Sequence, residues 1–283
     1  MHFREQYRMN KILKPIKEFF AFIHDIIESH YLIGELARRD FKEIYADSVL
    51  GLTWAILKPL CMAFVMWFAF TYGLRVGKST VGMPFICYLF TGNLAWDYFS
   101  SALSGSTNVI LQYSFLVKKI NFKLNILPVV KLISSLYISI IFLFIVALIL
   151  LINGIYPSWY WLQIVYYFFA MMLFVLGLGL ITSSITVFVK DVKHIIAIIL
   201  QFGFWATPIL WNPSMLPEKM QILVKINPMA YIVQGMRNSL ALEKPFWQDD
   251  PAIIVYFWIL TFVFLILGII VFKKTRPHFA DVI

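Results

Sequence analysis

LISSLYISIIFLFIVALILLI, Leu132 to Ile152, runs twenty-one residues without a charge. A helix crossing the hydrocarbon core of a bilayer needs about 20 mostly apolar residues. The stretch therefore predicts a membrane span. Working outward, Ser158 to Val189 is a longer uncharged run and Pro251 to Phe272 is another of spanning length. Ile195 to Trp211 is shorter but adequate. Leu60 to Leu74 is short, but Ser48 to Leu57 precedes it with only Lys58 between, and a lysine near an interface snorkels. Pro84 to Leu111 is the least regular, with Asp97 inside it. The sequence predicts an all-α integral membrane protein with six spans, at about 48–74, 84–111, 132–152, 158–189, 195–211 and 251–272.

The composition agrees. The chain has 283 residues, 61% hydrophobic and 14% charged, against roughly 45–50% and about 25% in soluble domains. That balance argues against a soluble enzyme, a disordered chain or a disulfide scaffold. Cys61 and Cys87 both lie in apolar stretches without metal-ligand spacing and read as small hydrophobes. Six spans put both termini on one side. That side receives 18 Lys and Arg and the other receives six: Arg75, Lys78, Lys219, Lys225, Arg237 and Lys244. The positive-inside rule then places both termini in the cytoplasm. The net charge of +9 reads as membrane sidedness before nucleic-acid affinity. The start is charged throughout, has no cleavage-site pattern and does not read as a signal peptide.

Eight of the fifteen acids fall in residues 1–47, which separates this head from the rest, 48–283. Ile12, Ile16, Phe19, Ile23, Ile26 and Ile27 recur at helical spacing, opposite Lys11, Lys14, Lys17, Glu18, Asp25 and Glu28. This predicts an amphipathic helix on the inner leaflet. Leu36 to Tyr45 carries Arg38, Arg39 and Lys42 near the membrane, as positive-inside anchors or as contacts for anionic headgroups. Tyr113 to Lys123, between the second and third spans, is too polar to span and too apolar for a free linker. It fits a short helix docking on something cytoplasmic, or an interfacial loop touching only lipid. Asn212 to Asp250 is too long for a structureless loop. Met220, Leu223 and Val224, then Met229, Ile232, Val233, Met236 and Leu240, predict two short amphipathic helices broken at Asn227-Pro228.

Catalytic chemistry is sparse. Gly77-Lys78-Ser79-Thr80 ends like a phosphate-binding loop, but the glycine that motif requires falls on Tyr72 and the charge bias puts the segment outside. It reads as a turn. Gly177-Leu178-Gly179 lies mid-span, where glycines permit close helix packing. The five histidines show no metal spacing, and no catalytic residue or metal ligand is assigned. Asp97 is the exception inside the membrane, where a carboxylate is costly and marks function or a polar partner. It sits in a polar and aromatic run, so it lines a wet cavity or bonds a neighbouring helix. Trp67, Trp96, Tyr98, Phe99, Phe204 and Trp205 lie deep or beside polar residues. Flat rings with polar handles suit the C–H faces of sugars, and helix packing is the ordinary alternative for each ring alone.

Several fragments, in order along the chain, resemble the permease subunit of polysaccharide-exporting ABC transporters, the group serving O-antigen, capsule and teichoic-acid export. They are Tyr45-Ala46-Asp47-Ser48-Val49-Leu50-Gly51-Leu52-Thr53-Trp54-Ala55-Ile56-Leu57-Lys58-Pro59, then Phe90-Thr91-Gly92-Asn93-Leu94-Ala95-Trp96, then Leu116-Val117-Lys118-Lys119-Ile120-Asn121-Phe122. Val187-Phe188-Val189-Lys190-Asp191-Val192, Thr207-Pro208-Ile209, Asn227-Pro228-Met229 and Phe279-Ala280-Asp281-Val282-Ile283 complete the set. The chain departs from the pattern at Lys190, where the family usually has Arg, and at Lys123, where Pro usually follows the Phe.

The resemblance implies a homodimer of six-span subunits in a bacterial inner membrane, joined to two cytoplasmic ATP-binding subunits. ATP and Mg would be used by those partners, with no cofactor on this chain and no nucleic acid. Phe115, Leu116, Val117, Lys118, Lys119 and Asn121 would couple to the ATPase, and the outer helices would gate the exit. The cargo would be a glycan on an undecaprenyl-pyrophosphate-type anchor, met at its headgroup by Arg38, Arg39 and Lys42 and along its path by Trp67, Trp96, Asp97, Tyr98, Phe99, Phe204 and Trp205. The same architecture would serve an exporter of a drug or simple lipid. A membrane-embedded acyltransferase or polymerase would need a polar catalytic cluster, for which only Asp97 presents itself.

Overall fold

The computed structural model describes residues 18–46, 49–51, 53–73, 82–118 and 122–283. The described residues are mostly helical, with no strand among them. In chain order the helices are α1 (18–28), α2 (His30–Ala46), α3 (Thr53–Phe68), α4 (Phe85–Gln112), α5 (Ser114–Val117), α6 (Leu127–Ile152), α7 (Gln163–Phe188), α8 (Val192–Ala206), α9 (Glu218–Ile226), α10 (Pro228–Arg237), α11 (Pro251–Thr275) and α12 (Phe279–Val282).

Three helical stretches are long and apolar enough to cross a membrane: Leu124–Ile152, Trp159–Phe188 and Pro251–Val282. They contain the expected spans at 132–152 and 251–272 and match the one at 158–189 to within a residue at each end. α4 covers the expected 84–111, with 28 residues and a mixed composition. Over the remaining two expected spans the helices are shorter. The stretch 48–74 is a turn at 49–51 and then α3, which ends at Phe68 in a π-helical turn over Ala69–Gly73. The stretch 195–211 stops at Ala206, because Thr207 turns extended ahead of Pro208. A residue before proline is pushed out of the helical region, so the chain turns there. The 15-residue α8 is about 22 Å long at 1.5 Å per residue.

Local chemistry sets the other ends. α6 closes on Gly154 at φ +79°. The Gly154 N–H donates to the Leu151 carbonyl and the Ile155 N–H to the Leu150 carbonyl, both at 3.0 Å, the left-handed C-terminal cap that glycine favours. α10 and α11 begin with proline in the first turn, and Asn227 and Asp250 cap the Met229 and Ala252 amides at 3.0 Å.

The core is built around α4, α6, α7 and α11. α7 and α11 meet backbone to backbone: a Cβ on Gly177 would stand 2.6 Å from the Leu265 nitrogen, and one on Gly268 would stand 2.5 Å from the Gly177 carbonyl oxygen. The small-residue reading of the mid-span glycines is therefore a packing requirement. α3 and α8 are held loosely. Of their side chains only Ala55, Ala63 and Leu200 are buried, and Phe64, Phe68, Ile198 and Phe202 lie open on the outside.

The bundle has two distinct ends. At one gather α1, α2, α5, the start of α6, the end of α7 and the C-terminal segment. Lys273 bonds Glu18 at 2.9 Å, Lys123 bonds Asp25 at 2.7 Å, and Phe279 packs against Phe188 and Phe272. At the other lie the starts of α4, α7 and α11 with the end of α8, α9 and α10. There the Tyr88 hydroxyl donates to the Trp211 carbonyl at 2.8 Å and the Trp161 indole to the Leu240 carbonyl at 3.0 Å.

Candidate functional site

α4 carries the first part of the site. Asn93, Asp97, Ser100, Ser101, Ser104 and Asn108 recur at spacings of three and four, so they form one polar stripe, about 22 Å long by the helical rise. The opposite faces of α4 are buried against α6, α7 and α10. The stripe is open: Asp97, Ser101 and Ser104 are exposed. It floors a groove of about 420 Å³ walled by Pro59 of α3, Ser139 and Phe142 of α6, and Ala197 and Leu200 of α8. Asp97 accepts a hydrogen bond from the Asn93 side chain at 3.2 Å. An uncovered carboxylate and serine row is costly wherever it faces lipid tails. It suits water, a polar cargo or another subunit.

The aromatics expected along a path divide. Trp96, Phe99, Phe204 and Trp205 come together as a seam between α4 and α8, with Trp96 at 5.3 Å from Phe99 and 6.1 Å from Phe204. Trp96 lies over Gly203, where a Cβ would stand 2.8 Å from the indole. Trp205 is open, Phe204 half-buried, and Trp96 and Phe99 are buried. Tyr98 points the other way, against Phe168, with its hydroxyl donating to the Leu132 carbonyl at 3.3 Å. Trp67 sits on α3 in a separate cluster with Phe64 and Tyr72.

At the α5 end, Phe115 is 57% exposed while Leu116 and Val117 are buried, and Lys118 is exposed. One short turn thus anchors two apolar side chains and presents an aromatic and a cation outward. Lys119 and Asn121 lie outside the described residues, as do Gly77-Lys78-Ser79-Thr80 and the part of the head before residue 18. Arg38, Arg39 and Lys42 lie on the exposed face of α2. Arg39 bonds Glu43 at 2.6 Å, which holds its guanidinium pKa above the ordinary value, and Arg38 lies 3.8 Å from Glu35.

Two buried charged sites, an ion pair and a lone guanidinium, escaped the sequence reading. Asp40 of α2 is 2% exposed and pairs with Lys131 of α6. The Gln112 amide and the Tyr113 hydroxyl both donate to the same Asp40 oxygen at 3.3 Å. α2 is thus joined to the elbow immediately before α5. The signal was present: Ile33, Ala37 and Asp40 share one helical stripe, and an acid in a buried stripe demands a partner.

The second is Arg237, at 0% exposure. It stood in the sequence as an outer-loop cation and is corrected to a buried one. Its Nη2 donates to the carbonyls of Tyr88, Pro208 and Ile209 at 3.1–3.4 Å, and its Nη1 donates to Gln234 at 3.1 Å. Gly92 makes room, since a Cβ there would stand 2.7 Å from Nη2. α10, expected as a short amphipathic helix, is buried on nearly every face. The Asn227 amide ties it to the Thr207 hydroxyl at 2.9 Å. Three of the sequence fragments, around Gly92, Pro208 and Asn227, therefore meet at one place. A polar relay continues outward as Gln234 to Asn238 at 3.0 Å, Asn238 to Asp249 at 3.2 Å, and Tyr167 to Asp249 at 3.2 Å. Burial raises the Asp249 pKa, against the opposing bonds from Tyr167 and Asn238. Among the described residues no group of three His, Cys, Asp or Glu side chains gathers to hold a metal.

A helical bundle with three helices long and apolar enough to cross a membrane, and a polar groove beside them, has the frame of a multi-pass membrane protein. The chain belongs to the ABC-2 type transporter family, whose model matches residues 31–241. It is 25% identical over 253 residues to an O-antigen export system permease protein RfbA of Klebsiella pneumoniae, covering 89% of this chain and 95% of that one. It is 24% identical over 266 residues to the protein of the same name from Myxococcus xanthus, covering 92% and 98%.

Proposed function

We propose that this chain is the transmembrane subunit of an ATP-driven exporter that carries a lipid-linked polysaccharide, O-antigen or a related glycan, across the bacterial inner membrane. The observation that carries the reading is the near full-length match to relatives named as O-antigen export permeases, within a shown ABC-2 family. Those names favour a glycan over a drug or simple lipid.

In this reading α3, α4, α6, α7, α8 and α11 are the six spans, and the α5 end with both termini is cytoplasmic. Positive charge supports that side. Lys118, Lys123, Lys190, Lys193, Lys273, Lys274 and Arg276 cluster there, and removing Arg237 from the outer count strengthens the bias. Two copies of the chain join with their α4 grooves facing, which supplies the cover that the Asp97 stripe lacks in one copy. Two cytoplasmic subunits bind ATP and Mg and dock on the turn that presents Phe115 and Lys118. The Asp40 junction passes their movement to α2, where Arg38, Arg39 and Lys42 meet the pyrophosphate headgroup of an undecaprenyl-type carrier through charge-assisted bonds. The glycan then passes the Asp97 groove and the Trp96–Trp205 seam.

The test is co-expression with the ATPase encoded beside this chain, purification of the complex, and measurement of ATP hydrolysis with and without lipid-linked glycan. Copurification with glycan-stimulated hydrolysis is expected. Failure of any ATPase to copurify would overturn the reading.

A further inference from the structure

A second cavity, of about 290 Å³, lies at the α9 end, separate from the Asp97 groove. Its back wall is Tyr231 and Gln234 of α10 with Asp249 and Asp250 before α11, and its roof is Gln221 and Lys225 of α9. The two sides differ in how firmly they are held. Gln234 and Asp249 are fixed by the relay from Arg237 through Asn238 to Tyr167. The Tyr231 hydroxyl bonds that of Tyr166 at 3.0 Å, which also receives the Trp258 indole. α9, by contrast, buries none of its side chains. The cavity is a preorganised polar wall under a loosely packed helical roof.

We propose that this cavity is a saccharide subsite on the outer face, taking one or two neutral sugar residues by their hydroxyl groups. The claim rests on the glycan-export reading and adds a place where the chain is held after crossing. A carboxylate offers about four acceptor positions, and Asp249 uses only two on protein donors. Amides such as Gln221 both donate and accept, as does a phenol. Hydroxyl groups, which do the same, satisfy such a wall. Two adjacent carboxylates against the single Lys225 ammonium leave the lining net negative, which disfavours phosphate or an acidic sugar. The apolar remainder, Pro208, Val224 and Ile253, offers a surface for sugar C–H faces. The volume is at the small end of ligand pockets, about 300–1,000 Å³, which admits a short segment and excludes a folded polymer. A sugar seated there bridges α9 to the start of α11 and closes the roof.

The test is saturation-transfer NMR on the full chain in nanodiscs, with galactose, mannose, N-acetylglucosamine and their disaccharides as probes, and glucuronic acid and inorganic phosphate as anionic controls. At least one neutral saccharide is expected to bind. Gln221→Leu and Asp250→Asn, the latter keeping an amide able to cap α11, should each weaken it about tenfold, the equivalent of one lost hydrogen bond. Lys219→Ala, on α9 but outside the cavity, should not. Absence of neutral-sugar binding, equal binding by both variants, or preference for the anions would overturn the subsite. Because glycan-stimulated ATP hydrolysis is read separately, the export reading can stand when the subsite falls, and sugar binding can persist when no ATPase copurifies.

Discussion

The Arg237 guanidinium lies 3.5 Å from the centre of the Tyr88 ring and also donates, at 3.3 Å, to the Tyr88 backbone carbonyl. One residue of α4 thus receives the cation twice, once through its ring face and once through its main chain. With the Pro208 and Ile209 carbonyls as further acceptors, Arg237 fastens α10 to α4 and to the turn ending α8. Arg237→Met should strip these carbonyls of their donor and lower stability by about 3 kcal/mol. Arg237→Lys should recover only part of it, since an ammonium lacks the planar fork. Thermal unfolding in detergent checks both, and equal melting for wild type and Met variant would refute the fastening role.

The Asp40–Lys131 pair makes a separate expectation. Asp40→Asn leaves a buried ammonium without its counter-charge and should cost about 3–5 kcal/mol, whereas Asp40→Leu with Lys131→Met should restore most of the stability. A double-mutant cycle measures this. Additive losses would mean that the two residues are not coupled.

The α1 junction is expected to depend on pH. Burial acts to raise the Asp25 carboxyl, but hydrogen bonds from Lys123 and Asn125 with the Lys123 and Arg276 charges bring it below its ordinary 3.8. The Lys123 hydrogen bond likewise holds Glu28 below 4.5. Carboxyls depressed in the folded state contribute fully above their unfolded values, and the contribution is lost as pH falls through the folded ones. Spin-label distances between α1 and the start of α6, the elements these pairs join, should therefore be constant from neutrality down to 4.5 and lengthen only below 3.8. Lys123→Met should lengthen them at every pH. A distance that changes near neutrality would point to another group.

The α7–α11 contact tolerates no side chain at its centre. Gly177→Ala places a Cβ 2.6–2.9 Å from backbone atoms of Phe264 and Leu265, and backbone cannot rotate aside. A loss of about 1–3 kcal/mol is expected. Retention of wild-type melting would show that the two helices sit further apart.

The apolar runs of Leu132–Ile152, Ser158–Val189 and Pro251–Phe272 were legible from the chain alone, because a span is a matter of length and transfer free energy summed along a local stretch. The two short helices and the break between them at Asn227-Pro228 were legible too, because a proline break acts within a few residues. Six basic residues were counted outside, however, and Arg237 among them is enclosed by carbonyls from positions 88, 208 and 209. Nothing within one turn of it announces those acceptors.

Asp40 and Asp97 divide in the same way. Both are acids in helices whose other faces pack, and only Asp97, with its polar neighbourhood, stood out along the chain. The fold buries Asp40 against Lys131 and leaves Asp97 open in a groove. The sequence by itself determined that the protein is helical and membrane-spanning, which way its charge is biased, and where its helices break. Only the tertiary structure decided which polar residues are paired inside and which line open space. Burial of a charge depends on partners brought from ninety-one residues away for Asp40 and Lys131, and no local pattern carries that distance.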